Sequence, residues 1–123
     1  MIQRLSFWIM MIVCSVMVSG QEYDGYYTNP ILPSGADPWV VKHEGWYYYC
    51  CGVPGGIGVS RSRDLHKINP PVRVWKAPEK GQWNSTCIWA PELHFWKGKW
   101  YIFYAGGYSG PPFIHQKTGV LES

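Results

Sequence analysis

Asp37-Pro38 is the step best able to place a carboxylate for chemistry. Proline has no backbone N–H and restricts the residue before it, which predicts an extended Asp37 whose carboxylate is aimed outward rather than tied into a helix cap. An Asp that merely opens a turn before a strand fits the same two residues. Ala90-Pro91-Glu92 has the same proline step with alanine in place of the carboxylate, and Glu92 two residues on is either a hydrogen-bonding group for a ligand or a solvated acid. Other chemistries find weaker support. His43, His66, His94 and His115 lack the close His/Cys/Asp spacing of a zinc site, so no metal site is expected. Gly52 to Gly58 lacks the Lys-Ser/Thr ending of a phosphate loop, and no Gly-x-Ser-x-Gly elbow is present.

The elements that must position these residues form a repeat. Asp37-Pro38, His43-Glu44 and Gly45-Trp46-Tyr47-Tyr48-Tyr49-Cys50-Cys51-Gly52 match Ala90-Pro91-Glu92-Leu93 and Lys97-Gly98-Lys99-Trp100-Tyr101-Ile102-Phe103-Tyr104-Ala105-Gly106, with Lys99 as one inserted residue. Each copy reads as a short strand, a tight turn at Gly45 or Gly98, and a second strand of unbroken aromatic and apolar residues, expected to be buried on both faces. Further strands are predicted at Ile57 to Ser62, Val72 to Lys76 and Gly119 to Ser123. A period of about fifty residues is near the blade length of a β-propeller, which places Asp37 and Ala90 at matching starts of inner strands. Two unrelated hairpins in a sandwich are the alternative.

Composition agrees with an all-β class. Eight Trp and nine Tyr accompany 14 Gly and 10 Pro, residues that favour strands and turns over helix interiors. Residues 1–20 pair one basic residue, Arg4, with the apolar run Trp8 to Val18 and the small Ser19-Gly20, the pattern of a secretory leader, shorter than a membrane span. Its removal leaves 21–123 as a secreted chain with no membrane attachment, and loss of Arg4 lowers the net charge from +3 to +2. The remaining cations are scattered, which excludes a nucleic-acid footprint. Cys14 departs with the leader, leaving Cys50, Cys51 and Cys87; on a strand Cys50 and Cys51 point to opposite faces, so Cys87 is expected to pair with one of them. Asn84-Ser85-Thr86 is a glycosylation sequon.

Asn29-Pro30-Ile31, Gly35-Ala36-Asp37-Pro38, Gly58-Val59-Ser60-Arg61-Ser62-Arg63-Asp64-Leu65 and Trp89-Ala90-Pro91-Glu92-Leu93-His94, in that order, resemble the beginning of glycoside hydrolase family 43, whose arabinofuranosidases, arabinanases and β-xylosidases are five-bladed propellers. The resemblance implies that Asp37 is the general base of an inverting glycosidase acting on arabinose- or xylose-containing polysaccharide, that Trp89 walls the sugar, and that Glu92 is a candidate contact. It requires no cofactor and allows a calcium ion on the axis of the full-length protein. The family's general acid and the Asp that tunes it come from later blades. The expectation is therefore the first one to two blades of the propeller, not active alone. A non-catalytic sugar-binding protein and an incomplete product without function are the alternatives.

Overall fold

The computed structural model describes residues 29–123, so the expected leader lies outside the described residues. Seven strands and no helix occur among them. The first sheet has the order β1-β2-β3-β4, with β1 Trp39–His43, β2 Trp46–Val53, β3 Gly56–Ser62 and β4 Val72–Lys76. The second has the order β5-β6-β7, with β5 Thr86–Trp96, β6 Lys99–Gly107 and β7 Lys117–Glu122. All pairings are antiparallel between sequence neighbours.

Turn chemistry sets the hairpins. Glu44 and Gly45 connect β1 to β2 with φ of 48° and 75°, and Lys97 and Gly98 connect β5 to β6 with 47° and 82°. Positive φ at both central residues is the signature of the two-residue turn whose twist matches its flanking strands. Between β2 and β3, Pro54 precedes Gly55 at φ 71°, the sequence preference of a type II turn.

The same angles revise the alignment of the repeat. Asp37 and Ala90, Glu44 and Lys97, and Gly45 and Gly98 stand at one constant offset of 53 residues, and each pair shares a positive φ. No residue is inserted: Lys99 takes the place of Trp46, and Trp100 that of Tyr47. The expectation that both second strands are buried on two faces holds only for β2, where Tyr49, Cys50 and Cys51 are consecutively buried. In β6, Ile102 and Tyr104 are buried while Phe103 is 40% exposed, as is its β7 partner Val120 at 51%. One face of the second sheet packs on the first, and the other leaves Phe103 and Val120 exposed.

The core lies between the sheets and comprises Cys50, Ile57, Leu93, Ile102 and Tyr104. Trp75 and Tyr104 meet at 5.0 Å and Tyr48 and Trp100 at 4.7 Å, bringing aromatic side chains of both sheets into one layer. The Trp39 indole N–H donates to the Leu93 carbonyl at 2.8 Å, joining β1 to β5 directly. Burial shields Cys50 from water completely and pushes its thiol up to about 12, with the adjacent Cys51 as a smaller cause. Because the folded state holds that proton more tightly, this thiol lowers stability as pH rises from the ordinary thiol value of 9.0 towards 12. Thiol titration of the native chain at pH 8 is expected to miss Cys50 and to recover it in denaturant.

Candidate active site

Asp37 stands two residues before β1, exposed to solvent. Its backbone is not extended, as the proline step had suggested, but left-handed, with φ 48°. Ala90, also followed by proline, has φ 43°. Alanine has no polar side chain to favour this region, where an L-residue costs roughly 1–2 kcal/mol. The kink therefore belongs to the architecture of the inner strand rather than to the carboxylate. Pro91 beside it is among the largest fully buried side chains, and that burial helps to offset the strain. The approach to Asp37 passes over β2: a Cβ at Gly35 would lie 3.5 Å from the Tyr49 hydroxyl. No hydrogen bond or ion pair engages the Asp37 side chain among the described residues.

Trp89 precedes Ala90 as Ala36 precedes Asp37, so the indole and the carboxylate occupy successive positions of the repeat, one in each sheet. The β5 register shifts on both sides of Trp89, between Thr86 and Trp89 and again between Trp89 and Glu92, and such irregularities redirect side chains. Trp89 remains 39% exposed and meets Phe113 edge to face at 4.7 Å and 72°. Phe113, itself at φ 57° in the β6–β7 connection, completes an exposed aromatic corner that the sequence did not disclose. Its only local signal is its place after Gly110-Pro111-Pro112, which marks a turn without saying where that turn packs.

Glu92 is exposed on the same strand, with its Oε2 3.4 Å from His94 Nε2. Asn84, the sequon residue, is half-buried and donates from Nδ2 to the Tyr104 hydroxyl at 2.8 Å. That atom is the one a glycan would take. Asn84→Ala is expected to cost about 1–2 kcal/mol by leaving a buried hydroxyl short of its partner, checked by urea denaturation, with Tyr104→Phe alongside to complete a double-mutant cycle.

The expected disulfide is not formed: Cys50, Cys51 and Cys87 are free thiols. Cys50 is enclosed by the core, whereas the left-handed backbone of Cys87, φ 51°, turns its Sγ towards the Ser109 carbonyl at 3.4 Å. Among the described residues no group of three or more His, Cys, Asp or Glu is placed to hold a metal ion, so the two sheets present no complete side-chain ligand set for an axial calcium.

Two packed antiparallel sheets, each led by a strand with the same left-handed kink before proline, are the repeating arrangement of a β-propeller. The chain belongs to glycosyl hydrolases family 43, whose model matches residues 27–123. It is 38% identical to alpha-L-arabinofuranosidase 43 of Humicola insolens over 68% of this chain and 18% of that protein. It is 37% identical to an extracellular exo-alpha-(1->5)-L-arabinofuranosidase of Streptomyces avermitilis over 66% of this chain and 18% of the relative. The alpha-L-arabinofuranosidase structure from Lactobacillus brevis superimposes with a TM-score of 0.69 at 32% identity, over 78% of this chain and 33% of that one. Xylan beta-1,4-xylosidase from Bacillus halodurans C-125 follows at 0.65 and 27%, over 80% and 20%. The chain thus spans about a fifth of the length of these curated relatives, and its two sheets correspond to part of the five-bladed propeller.

Proposed function

We propose that these two sheets supply the general-base side of an inverting glycoside hydrolase acting on arabinose-containing polysaccharide, with Asp37 as the base and Trp89 as a wall for the sugar. The observation that carries the reading is the pair of equivalent inner-strand starts, one presenting an unengaged carboxylate and the other an exposed indole. The arabinofuranosidase names of the sequence relatives support arabinose as the sugar, and xylose is the finer alternative suggested by the xylosidase among the structures.

In inversion the base takes a proton from water as the water attacks the anomeric carbon, while a carboxylic acid protonates the leaving oxygen from the opposite face. The two carboxyl groups must stand roughly 6.5–9.5 Å apart to leave room for that water. Asp37 fits the first role by exposure and freedom from partners. Among the described residues Asp64 is held by His66 and Lys67, Glu122 by Lys99, and Glu92 lies beside His94. The acid is assigned to a part of the propeller beyond these two sheets, as the resemblance to the family implies, and the chain alone is expected not to turn over substrate. Secretion is part of the proposal, supported by the leader pattern of residues 1–20 and by the name extracellular on the Streptomyces relatives. Aryl α-L-arabinofuranoside hydrolysis by the full-length protein, with the first-formed anomer read by NMR, tests the reading. Inverted configuration supports it; a retained product or no hydrolysis overturns it.

One observation favours a second reading. The Trp89–Phe113 corner is complete within the described residues, whereas the catalytic carboxylate pair is not. Sugar binding without turnover is the corresponding function, detected as arabino-oligosaccharide binding that Trp89→Ala weakens.

A further inference from the structure

The β1–β2 turn lies at the far end of β1 from Asp37, seven residues along the chain and about 20 Å away at the usual strand rise. There a groove of about 620 Å³ is lined by Lys42, Gly45, Tyr47, Arg63, Asp64, Leu65 and His66. Its lining carries both signs, and the charge left without an opposite partner is positive. Among the described residues Lys42, Arg61 and Arg63 have no carboxylate partner. The Asp64 charge is already engaged: its Oδ1 accepts from the His66 backbone N–H at 2.9 Å, and its Oδ2 lies 3.7 Å from Lys67 Nζ.

The cations are also held in place. The guanidinium groups of Arg61 and Arg63 lie 4.8 and 4.6 Å from the centre of the Trp46 ring, and Lys42 Nζ lies 5.1 Å from that of Tyr47. Stacking on an aromatic face restrains a guanidinium while leaving its N–H edge able to take a carboxylate through two hydrogen bonds. Leu65 and the Gly45 backbone add an apolar wall, and the Tyr47 phenol adds a polar group beside a ring. A groove of this size with both cationic and apolar lining is larger and less polar than a bare inorganic anion needs.

We propose that this groove is a second carbohydrate site, remote from catalysis, that takes a carboxylate-bearing sugar, a uronate unit of an acidic polysaccharide. Arg63 receives the carboxylate through its fork, Lys42 supplies the second positive charge, and Tyr47 with Leu65 accommodates the ring. That the anion is a sugar acid rests on the reading of the chain as part of a polysaccharide-acting protein. The site itself requires no hydrolysis, so the two can fail separately.

Calorimetric titration of the chain with trigalacturonate, with neutral arabinotriose and with inorganic phosphate tests it. Binding of the uronate is expected to weaken about tenfold or more in Lys42→Ala/Arg63→Ala, to be partly kept in Arg63→Lys, and to weaken as salt is raised. Circular dichroism checks that the double variant keeps its sheets, and Lys117→Ala, on β7 of the other sheet and outside the groove lining, serves as a folded control with near-native uronate binding. Equal affinity for arabinotriose, phosphate that displaces the uronate at matching concentration, or uronate binding indifferent to Lys42→Ala/Arg63→Ala in the folded chain would each overturn the proposal. A uronate site that persists when the full-length protein shows no glycosidase activity would overturn the catalytic reading and leave this one standing.

Discussion

Asp37→Asn in the full-length protein is expected to lower glycoside hydrolysis by about 10²–10⁴-fold in kcat, the range attributed to a positioned proton-transfer group. KM should change little, because the amide fills the same space and only its capacity to accept a proton is lost. The substitution separates chemistry from folding unusually well. Asparagine tolerates the left-handed region as readily as aspartate, so the kink at φ 48° survives. Ala90 shows that even alanine holds this conformation in the repeat, at φ 43°, so Asp37→Ala should also fold. Steady-state kinetics of both variants, with thermal unfolding run in parallel, checks the prediction. Near-native kcat in Asp37→Asn would remove Asp37 from the mechanism; lost activity accompanied by lost folding would mark it as structural.

Gly56→Ala is expected to produce the largest loss of stability. A Cβ at this position would stand 1.9 Å from the Trp75 carbonyl oxygen and 3.0 Å from its carbonyl carbon. Those atoms are backbone, on β4, and Gly56 and Ile57 pair there with Lys76 and Trp75. The strand cannot yield without giving up ladder hydrogen bonds, and its neighbour Ile57 is fully buried in the core, at 0% exposure. Overpacking of this kind costs about 1–3 kcal/mol or more, and each kcal/mol lowers Tm by roughly 4–8 °C in a domain of this size. Gly110→Ala is the control, since nothing lies within 4 Å of the added methyl. Calorimetry of the two variants should show a marked drop for Gly56→Ala and a small effect for Gly110→Ala; equal Tm values would contradict the packing argument.

Much of the fold was legible in the chain because it is specified locally. Gly45 and Gly98 mark tight turns, their aromatic runs supply the second strands, and the strands predicted near Ile57, Val72 and Gly119 correspond to β3, β4 and β7. The matched positions of Asp37 and Ala90, and the family motifs around them, were likewise visible as a repeat. What the sequence could not determine depends on groups distant along the chain.

The proline step argued for an extended Asp37, but the inner-strand geometry imposed a left-handed kink on both copies. Three cysteines suggested a bridge, yet Cys50 is enclosed by core residues from both sheets while Cys87 turns towards Ser109, 22 positions away. The sequon at Asn84 describes only a local triplet, whereas the amide bonds Tyr104, 20 positions along. Trp89 was recognisable alone, but its corner with Phe113 required the β6–β7 connection to fold back. Hairpin turns and strand alternation are decided by a few neighbouring residues; the backbone angle at Asp37, the state of the thiols and the shape of the aromatic corner are decided by which sheet packs on which, and only the tertiary structure contains that.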